Sequence, residues 1–430
     1  MLFGTVGLKI IPGLYTGQPL SWLDALFTST SAVCVTGLIV VDTATHFTLR
    51  GQAFILLLIQ LGGLGIITFT SLIIVALGRR LSLRQESVSM STVDIAPHVE
   101  PRHLLRNVVL FTFSIELIGA LVLYVSWVPK HGFSGAVWPA VFHSVSAFCN
   151  AGFSTNTDSL MGDQRNPFVL YTTMTLIVLG GIGFLTLQEL YLFRKAKKQD
   201  QRFRLSLHSR IVLVTTGVLI VGGAGVFLPL EWTQTLGNMN VFDKFNNAMF
   251  MSVTARTAGF NSIDYGQATI GSNFFTILLM SIGGSPGSTA GGLKTTTLAI
   301  IALMAWSRFR GHAATSVAGR SIPAETIQRA IGLFAIVFTL VTIAVFAISV
   351  SAPVMGGNTL FLSYMFEVVS AFNTVGLSMG ITSQLTGIDR LLLVALMFIG
   401  RVGPLVLAAA LTRTRNSRGF RYAHEDVMVG

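Results

Sequence analysis

The chain has 430 residues, of which 52% are hydrophobic and only 11% charged, and its formal net charge is +11. This apolar excess excludes an ordinary soluble domain and is typical of an integral membrane protein. The positive charge does not indicate nucleic-acid binding, because 20 of the 29 Lys and Arg residues fall in four segments, at residues 78–106, 194–210, 306–329 and 413–430. Segments with few basic residues separate these four, so the positive-inside rule predicts that all four are cytoplasmic.

Seven apolar runs are near or above the ~20 residues that a helix needs to cross a bilayer. They cover residues 56–77, 107–128, 168–193, 211–230, 274–304, 330–351 and 391–411. The two cysteines, Cys34 and Cys149, provide neither a disulfide framework nor a metal motif. The sequence has no Ser-His-Asp spacing, zinc-protease motif or Walker-type loop, so it does not indicate an enzyme.

A short phrase recurs four times along the chain. In each copy a Phe lies five residues before an Ala, and a Gly follows that Ala after four or five residues. These glycines are separated by 115, 107 and 117 residues, and they are Gly37, Gly152, Gly259 and Gly376. A period of this length indicates one repeated structural module.

Each complete module has the same order of segments. A spanning helix is followed by a short segment with the repeated phrase, then by a glycine-centred stretch and a second spanning helix. The short segment cannot cross a bilayer, so it is predicted to enter and leave on the outer side. Two crossings per module make the repeats parallel, and parallel repeats stand around an axis along the membrane normal. The predicted fold is an all-α integral membrane protein with four parallel helix–pore-loop–helix repeats and fourfold pseudo-symmetry around one central pore.

The modules are placed at residues 1–77, 78–193, 194–304 and 305–412, and a basic cytoplasmic tail follows at residues 413–430. In modules two to four the first helix begins 45, 48 and 46 residues before the repeated glycine. Only 36 residues precede Gly37, so the first helix of module one is expected to be truncated.

The glycine-centred stretches are predicted to bind a cation through main-chain oxygens. Four such stretches around one axis can replace the hydration shell of a monovalent ion, and glycine permits the backbone angles that this requires. Their side chains share no chemistry and include no carboxylate, which argues against Ca²⁺ or Mg²⁺. K⁺ at this filter is the only metal site expected. Its predicted ligands are the backbone groups of Val35, Thr36, Gly37, Asn150, Ala151, Gly152, Thr257, Ala258, Gly259, Thr374, Val375 and Gly376.

Polar residues around these stretches have more than one interpretation. Asp158, Asp264 and Asp389 either concentrate cations at the mouth of the pore or are plain solvated acids. Arg256 is expected to brace the third stretch from behind, because a cation in the ion path would block conduction. One position on the short helices varies widely between modules, which predicts buried hydrogen bonding there and not a proton relay. Its four residues are Thr28, His143, Met251 and Glu367.

The second helix of every module carries a glycine cluster. The clusters begin at Gly62, Gly180, Gly283 and Gly400. Close helix packing is the favoured interpretation in modules one, two and four. In module three the apolar run would be ~46 Å long as a helix, against a hydrocarbon core of ~30 Å, and its middle is poor helix sequence. We therefore expect this run to break and the loop at residues 283–292 to act as a gate beneath the filter, with a structural kink as the alternative.

Two isolated cations accompany this loop. Arg401 interrupts an apolar helix, and buried charge normally faces a partner or a pore, so Arg401 is predicted to lie below the filter against residues 285–289. Lys294 either lies at the gate or extends to the cytoplasmic interface. The predicted gate residues are Gly283, Gly284, Ser285, Pro286, Gly287, Ser288, Thr289, Gly291, Gly292, Lys294 and Arg401.

Together these motifs resemble the Trk/Ktr/HKT superfamily of potassium transport proteins, and most of all its KtrB membrane subunits. The resemblance covers nearly the whole chain. Its most specific marks are residues 36–38, 150–154, 256–261, 283–295, 374–378 and 400–404. It implies the K⁺-translocating pore subunit of a Ktr-type uptake system in the cell membrane, working as a symporter or a channel-like transporter. The filter side would be extracellular, and the basic loops and C-terminus cytoplasmic.

The resemblance also implies partners and residue roles. Such subunits conduct K⁺ inward as homodimers with one pore per subunit, under the control of a cytoplasmic ring of KtrA-like RCK subunits. Nucleotide is expected on that ring, and this chain is expected to bind no cofactor beyond K⁺, with Na⁺ as the alternative ion. The glycine loop of module three would be the gate, and Arg401 the pore arginine. Glycine at all four filter positions, Gly37 included, is the family pattern for K⁺ selectivity. The short N-terminus departs from the family.

Two other functions remain open from the sequence. A secondary cation or solute transporter also uses broken helices, but it needs inverted repeats and alternating access. A non-conducting membrane scaffold would use the small residues for helix packing alone. The scaffold leaves unexplained why two separate glycine motifs recur in phase in four modules.

Overall fold

The computed structural model describes residues 1–65, 101–200, 203–312, 314–317, 319–351 and 360–403. Within these ranges the fold is helical apart from one antiparallel hairpin, in which β1 (Ser316–Val317) pairs with β2 (Arg320–Ser321). The predicted basic tail at 413–430 and most of the basic segment at 78–106 lie outside the described residues.

Module one begins with a short helix that packs against the first pore helix. We use "pore helix" for the helix that carries the repeated phrase. The pore helix begins after Ser21, whose side chain accepts a hydrogen bond from the Asp24 amide at 3.1 Å. The helices are α1 (Leu2–Ile10), the pore helix α2 (Trp22–Val33), α3 (Thr43–His46) and α4 (Leu49–Gly65).

Module two corrects one expectation. The apolar run at residues 168–193, predicted as one spanning helix, is divided at Gly183 into two helices, and the chain bends by 101° between them. Gly183 has a φ of 95°, a left-handed angle that glycine adopts without strain. The first helix ends at this residue and the second begins after it. The helices are α5 (Pro101–Gly135, kinked at Gly132), the pore helix α6 (Val137–Phe148), α7 (Pro167–Ile182) and α8 (Phe184–Lys198).

Module three contains the interruption that its length and composition predict. A non-helical segment at residues 281–294 separates two helices within the apolar run at 274–304. The helices are α9 (Leu207–Glu231), the pore helix α10 (Val241–Thr254), α11 (Ile270–Met280) and α12 (Thr295–Phe309).

Module four has a long first helix and a capped second helix. Thr386 and Asp389 form a capping box, in which each side chain bonds the backbone amide of the other residue. The helices are α13 (Ala324–Ser351), the pore helix α14 (Leu360–Phe372) and α15 (Gly387–Val402). The predicted run at 56–77 extends beyond the described part of α4. The run at 391–411 is not one continuous helix, because α15 ends at Val402 and Gly403 has a left-handed φ of 92°. Residues 404–411 lie outside the described residues.

Three helices in the described ranges are long and apolar enough to cross a membrane, and the bent pair α7–α8 makes a fourth if it is one span. They are residues Arg106–Gly135 of α5, α9 and α13. Their outer faces leave large apolar side chains exposed, for example Val221 at 71% and Phe346 at 70%. Such faces suit hydrocarbon and not water.

Serines fix the pore helices to the first helices in modules one to three. Ser29, Ser144 and Ser252 donate hydrogen bonds of 2.8, 2.6 and 2.8 Å to carbonyl groups of the preceding helix region. The facing residue of the first helix is a glycine each time, because a side-chain carbon there would collide with the serine hydroxyl. These glycines are Gly4, Gly119 and Gly223. The short helix α1 therefore occupies in module one the position that α5 and α9 occupy in modules two and three.

Among the residues that the structure describes, the hydrophobic core is divided into four clusters of buried residues. Each cluster joins one module to the pore helix and loop of the next, and the cluster of module four reaches Phe27, Cys34 and Leu38 of module one. An ion pair of 2.6 Å between Arg390 of α15 and Asp24 of α2 adds a polar contact between the last and first modules. The four modules thus contact one another in a closed cyclic order.

Candidate functional site

The four glycine-centred stretches, here called the pore loops, have the same backbone conformation. Val35, Asn150, Thr257 and Thr374 have φ angles of 56°, 58°, 68° and 51°. The glycines two residues later, Gly37, Gly152, Gly259 and Gly376, have φ angles of 94°, 69°, 78° and 93°. A non-glycine residue with positive φ is uncommon, and here it recurs at one position in every module. Alternating left-handed residues turn successive carbonyl groups towards the same side of a chain.

The four glycines approach one another in cyclic order. A side-chain carbon on Gly37 would lie 2.5 Å from the carbonyl oxygen of Ala151, and one on Gly152 would lie 2.9 Å from that of Ala258. Equivalent carbons on Gly259 and Gly376 would collide with the carbonyl oxygens of Val375 and Thr36. Each glycine therefore lies against the carbonyl oxygen of the residue before the glycine of the next module. Only a hydrogen atom, and not a side chain, fits between the glycine and that oxygen.

The pore loops open into a cavity of about 340 Å³. It is here called the outer mouth, after its expected extracellular position. All four glycines line it, together with Asp42, Asp158 and Asp264. Three carboxylates on one concave surface attract cations. Asp389, also expected at the mouth, is buried at 2% exposure, where it caps α15 and accepts a hydrogen bond from Ser351. Asp42, which the sequence reasoning missed, lines the mouth and accepts a hydrogen bond from Thr157 of module two at 2.8 Å.

A hydroxyl group braces every pore loop from the end of its pore helix. Ser31 and Ser370 accept hydrogen bonds of 3.1 Å from the amides of Gly37 and Gly376. In the other two modules the hydroxyl donates to the carbonyl group after the glycine, at 2.8 Å from Ser146 and 2.7 Å from Thr254. These residues were not predicted, although the sequence gives a signal. All four copies of the phrase have Ser or Thr directly before the Ala.

The second glycine motif packs against the ends of the pore helices. A side-chain carbon on Gly62, Gly180 or Gly400 would collide with the carbonyl oxygen of the last pore-helix residue of its own module. Those last residues are Val33, Phe148 and Phe372. The close approach agrees with helix packing as the role of these glycines. Gly283 differs, because its neighbours are the carbonyl groups of Gly291 and Leu293 within its own loop.

The loop at residues 283–292 is buried and hydrogen-bonded to modules two and four. The amides of Ser285 and Thr289 donate to the carbonyl groups of Gly181 and Gly180 at 2.9 and 3.2 Å. The amide of Gly292 donates to the carbonyl group of Gly400 at 3.3 Å. The loop also lies directly against the fourth pore loop, because a side-chain carbon on Gly291 would collide with the Thr374 side chain.

The bend in module two is part of the same contact. A side-chain carbon on Gly183 would lie 2.5 Å from the Pro286 carbonyl oxygen, and the amide of Phe184 donates to the carbonyl group of Gly287 at 3.0 Å. The break between α7 and α8 therefore accommodates the tip of the loop. These two glycine motifs are about 100 residues apart in the sequence, and the tertiary structure brings them into contact.

Arg401 and Lys294 both lie at this loop. Arg401 is 8% exposed, and its guanidinium donates to the carbonyl group of Thr289 and, at 3.0 Å, to that of Gly62. It thus links α15, the loop and α4. Lys294 donates to the carbonyl group of Ala290 at 2.7 Å, so its ammonium group lies within the loop and does not extend away from it.

Other buried ionisable side chains lie behind the pore loops. Arg256 is 7% exposed beside Gly284 and Gly181, and its guanidinium contacts the Thr216 hydroxyl at 3.5 Å. Arg256 therefore lies outside the outer mouth. Glu116, at 3% exposure, accepts a hydrogen bond from Gln60 at 3.1 Å.

Comparison with known proteins gives one consistent result. The family described as TrkH, cation transport protein, matches residues 5–417. The chain is 39% identical over its whole length to the Ktr system potassium uptake protein B of Bacillus subtilis, covering 94% of that protein. It is 38% identical to the potassium/sodium uptake protein NtpJ of Enterococcus hirae, over 96% of this chain and 91% of that protein.

A solved structure has the same fold. The potassium transporter TrkH from Vibrio parahaemolyticus matches with a TM-score of 0.73, covering 92% of this chain and 79% of the other. The sequence identity of the pair is 19%, so this likeness shows the fold alone.

Proposed function

We propose that this chain, which belongs to the TrkH family of cation transport proteins and is a multi-pass membrane protein, is the K⁺-conducting subunit of a Ktr-type uptake system. The family is a transport family and not an enzyme family. The observation that carries the proposal is the convergence of four glycine bends with one backbone conformation on one cavity. One relative of similar length is named for potassium uptake and another for potassium/sodium uptake, which agrees with K⁺ as a transported ion.

The proposed pore has fourfold pseudo-symmetry. Two independent observations support this arrangement: the cyclic order of the core clusters, and the cyclic contacts of the four glycines. An axis that passes between the pore loops is surrounded by four carbonyl groups, one from each module. It is therefore the place where a dehydrated ion gains most from them.

The proposed filter uses backbone oxygens of the two residues before each glycine. The carbonyl groups of Thr36, Ala151, Ala258 and Val375 lie beside the neighbouring glycines, so they form its innermost ring. Uncharged carbonyl oxygens suit a monovalent cation, whereas Ca²⁺ and Mg²⁺ sites use carboxylates. The three acids of the outer mouth raise the local cation concentration without entering this ring.

The loop at residues 283–292 is the proposed gate. It lies between the pore loops and Arg401, and it is held by backbone hydrogen bonds to Gly180, Gly181 and Gly400. Arg401 adds two charge-assisted hydrogen bonds and places a positive charge where it repels a cation. Opening requires these hydrogen bonds to break together, so the gate has one closed state and does not open gradually.

The orientation and partners are also proposals. The positive-inside rule places the basic segments and the C-terminus in the cytoplasm and the outer mouth outside the cell. The family resemblance favours a homodimer in the cell membrane with a cytoplasmic RCK ring that binds nucleotide, and transport as a channel-like transporter or a symporter. The short hairpin β1–β2 connects two basic stretches on the proposed cytoplasmic side.

The test is K⁺ or Rb⁺ flux into liposomes that contain the purified full chain, with Na⁺ as competitor. We expect flux that Na⁺ inhibits weakly. The absence of flux in correctly inserted protein would contradict a conducting role.

A secondary transporter remains the second candidate, because two second helices are broken, at Gly183 and at residues 281–294. The same assay distinguishes it from the pore. Slow uptake that depends on a co-transported solute would favour alternating access, whereas rapid exchange of K⁺ down its gradient would favour the pore.

A further inference from the structure

Two of the four modules carry the same hydrogen-bond arrangement at the outer end of the pore loop. Ser154 and Ser378 lie two residues after Gly152 and Gly376, and both line the outer mouth. Behind each serine is a fully buried side chain of the pore helix, His143 in module two and Glu367 in module four. The function proposed above does not use these side chains.

In module two, the hydrogen bonds fix the direction of the Ser154 hydroxyl. His143 Nδ1 lies 2.8 Å from the carbonyl oxygen of Pro139, which only accepts, so Nδ1 carries the proton. The imidazole is packed edge-to-face on Trp127 and is suited to the neutral form, since burying its charge is costly. Nε2 is then an acceptor, and Ser154 Oγ donates to it at 2.9 Å. The amide of Asn156 donates to the same oxygen at 2.9 Å.

In module four, a carboxyl group takes the place of the imidazole. Ser378 Oγ donates to Glu367 Oε1, and the amide of Gly380 donates to Ser378 Oγ at 2.9 Å. Thr382 Oγ1 lies 3.1 Å from both oxygens of Glu367 and also 3.1 Å from Ser378 Oγ. Its single proton is donated to the carboxyl group, so Thr382 does not occupy a lone pair of Ser378. The pattern of module two is repeated, with an acceptor behind the serine and a backbone amide two residues further along the chain.

Each serine oxygen therefore retains one unused lone pair. A hydroxyl group has one proton and two lone pairs. The proton is directed into the protein, and one lone pair accepts from the backbone amide, so the second faces the mouth that both serines line. In the cyclic order of the glycine contacts, modules two and four are not neighbours, so the two oxygens lie on opposite sides of the axis.

Modules one and three lack this arrangement. Ile39 and Asn261 occupy the serine position, and Thr28 and Met251 occupy the position behind it. Thr28 Oγ1 is buried without a hydrogen-bond partner, and methionine carries no strong acceptor. The oriented oxygens thus occur as an opposite pair and not as a ring of four.

We propose that Ser154 and Ser378 form an outer site for a partly hydrated monovalent cation, and that His143 and Glu367 are positioning residues that orient the two hydroxyls. The cation exchanges its first waters for these oxygens before it reaches the carbonyl groups of the filter. Asp42, Asp158 and Asp264 supply the negative field of the mouth, and the serines supply the ligands. The inference rests on the proposed function and adds a step of ion entry to it.

The test is the dependence of initial K⁺ flux on external K⁺ in liposomes that contain the full chain. Ser154→Ala and Ser378→Ala should each raise the KM for K⁺ about 3- to 10-fold with little change in maximal rate, because one ion ligand is lost and the filter is intact. Thr28→Val is the matched control, since it alters the same helix position in a module without the serine. Its KM should equal that of the wild type.

The positioning role has its own test. Glu367→Gln keeps an acceptor oxygen for Ser378 and should retain a KM near that of the wild type. Glu367→Leu removes the acceptor and should match Ser378→Ala, and the double variant should be no worse than Ser378→Ala alone. A purely structural role would lower the amount of inserted protein and the maximal rate but would not move the KM.

Three results would overturn the inference. The first is a KM within about twofold of the wild type in both serine variants, a loss too small for one ion ligand. The second is a multiplication of the Glu367→Leu and Ser378→Ala effects in the double variant. In both cases wild-type K⁺ flux would leave the proposed function standing. The third is the absence of K⁺ flux in the wild type, which would remove the proposed function and this inference together.

Discussion

The pore loops and the second helices of the modules differ in how far the repeat is kept. All four pore loops have a left-handed residue two positions before a left-handed glycine. The second helices are less alike, because module two bends by 101° at Gly183 and module three opens into the loop at residues 281–294. In module four, α15 ends at Gly403, the equivalent of Gly183, with a φ of 92°. Under the proposed function, equal ligands are needed on every side of an ion, but one asymmetric segment is enough to obstruct its path.

The largest expected effect comes from breaking the equivalence of the pore loops. Gly376→Ala should reduce K⁺ flux about 100-fold, because a side chain at a φ of 93° is strained and its carbon collides with the Thr36 carbonyl group. Gly132→Ala is the control, since Gly132 has a φ of 72° but nothing within 4 Å of the added carbon. Liposome flux measures both, and wild-type flux in Gly376→Ala would count against the ring of carbonyl groups.

The second prediction concerns the gate, which belongs to the second helices and differs between the modules. Arg401→Ala should raise K⁺ flux about 10-fold, because it removes two charge-assisted hydrogen bonds and a positive charge from the gate. Arg390→Ala removes an arginine of the same helix whose ion pair is with Asp24, and its flux should not rise. Reduced flux in Arg401→Ala with normal membrane insertion would remove the gating role.

The third prediction tests discrimination between ions. Gly37→Ser places a carbon 2.5 Å from the Ala151 carbonyl oxygen, so that oxygen must move outward and its fit to K⁺ is lost. The ratio of K⁺ to Na⁺ permeability should fall about 5- to 10-fold. Gly17→Ser, at a glycine with nothing within 4 Å, should keep the wild-type ratio. An unchanged ratio in Gly37→Ser would show that this glycine does not set selectivity.

The smallest expected effect comes from the hydroxyl braces. Ser31→Ala or Ser370→Ala leaves a glycine amide of a pore loop without its acceptor, and K⁺ flux should fall about 2- to 3-fold. Ser114→Ala is the control, because Ser114 bonds its own exposed helix at Leu110. Equal flux in all three variants would mean that the pore loops hold their shape without these hydroxyls.

The sequence indicated the repeated elements because each repeat is dictated by local chemistry. Phe and Ala recur at fixed spacing with a Gly four or five residues later, and Gly183 and Gly283 belong to motifs that recur in phase. The prediction of a continuous helix through Gly183 was wrong, because a glycine cluster in an apolar run is also compatible with close packing of an unbroken helix. The break accompanies a contact with Pro286, which lies far along the chain.

The candidate site was also predicted only in part. Backbone ligands could be suggested from the glycines alone, and their role in binding K⁺ stays a prediction. The acids of the mouth were harder, because Asp389 and Asp42 both take part in a helix cap and differ in what surrounds them. Asp389 is buried and bonded to Thr386 and Ser351, whereas Asp42 lines the mouth after the first pore loop. Such tertiary surroundings are not encoded in the local pattern.

The central claim is that main-chain oxygens from four sides surround one ion. The most direct measurement is the density of the full chain in lipid, determined once in K⁺ and once with Rb⁺ or Tl⁺ as a heavy substitute. The account predicts ion density on the axis between Gly37, Gly152, Gly259 and Gly376. Well-ordered pore loops with no ion density between them, or with the heavy ion bound elsewhere, would contradict it.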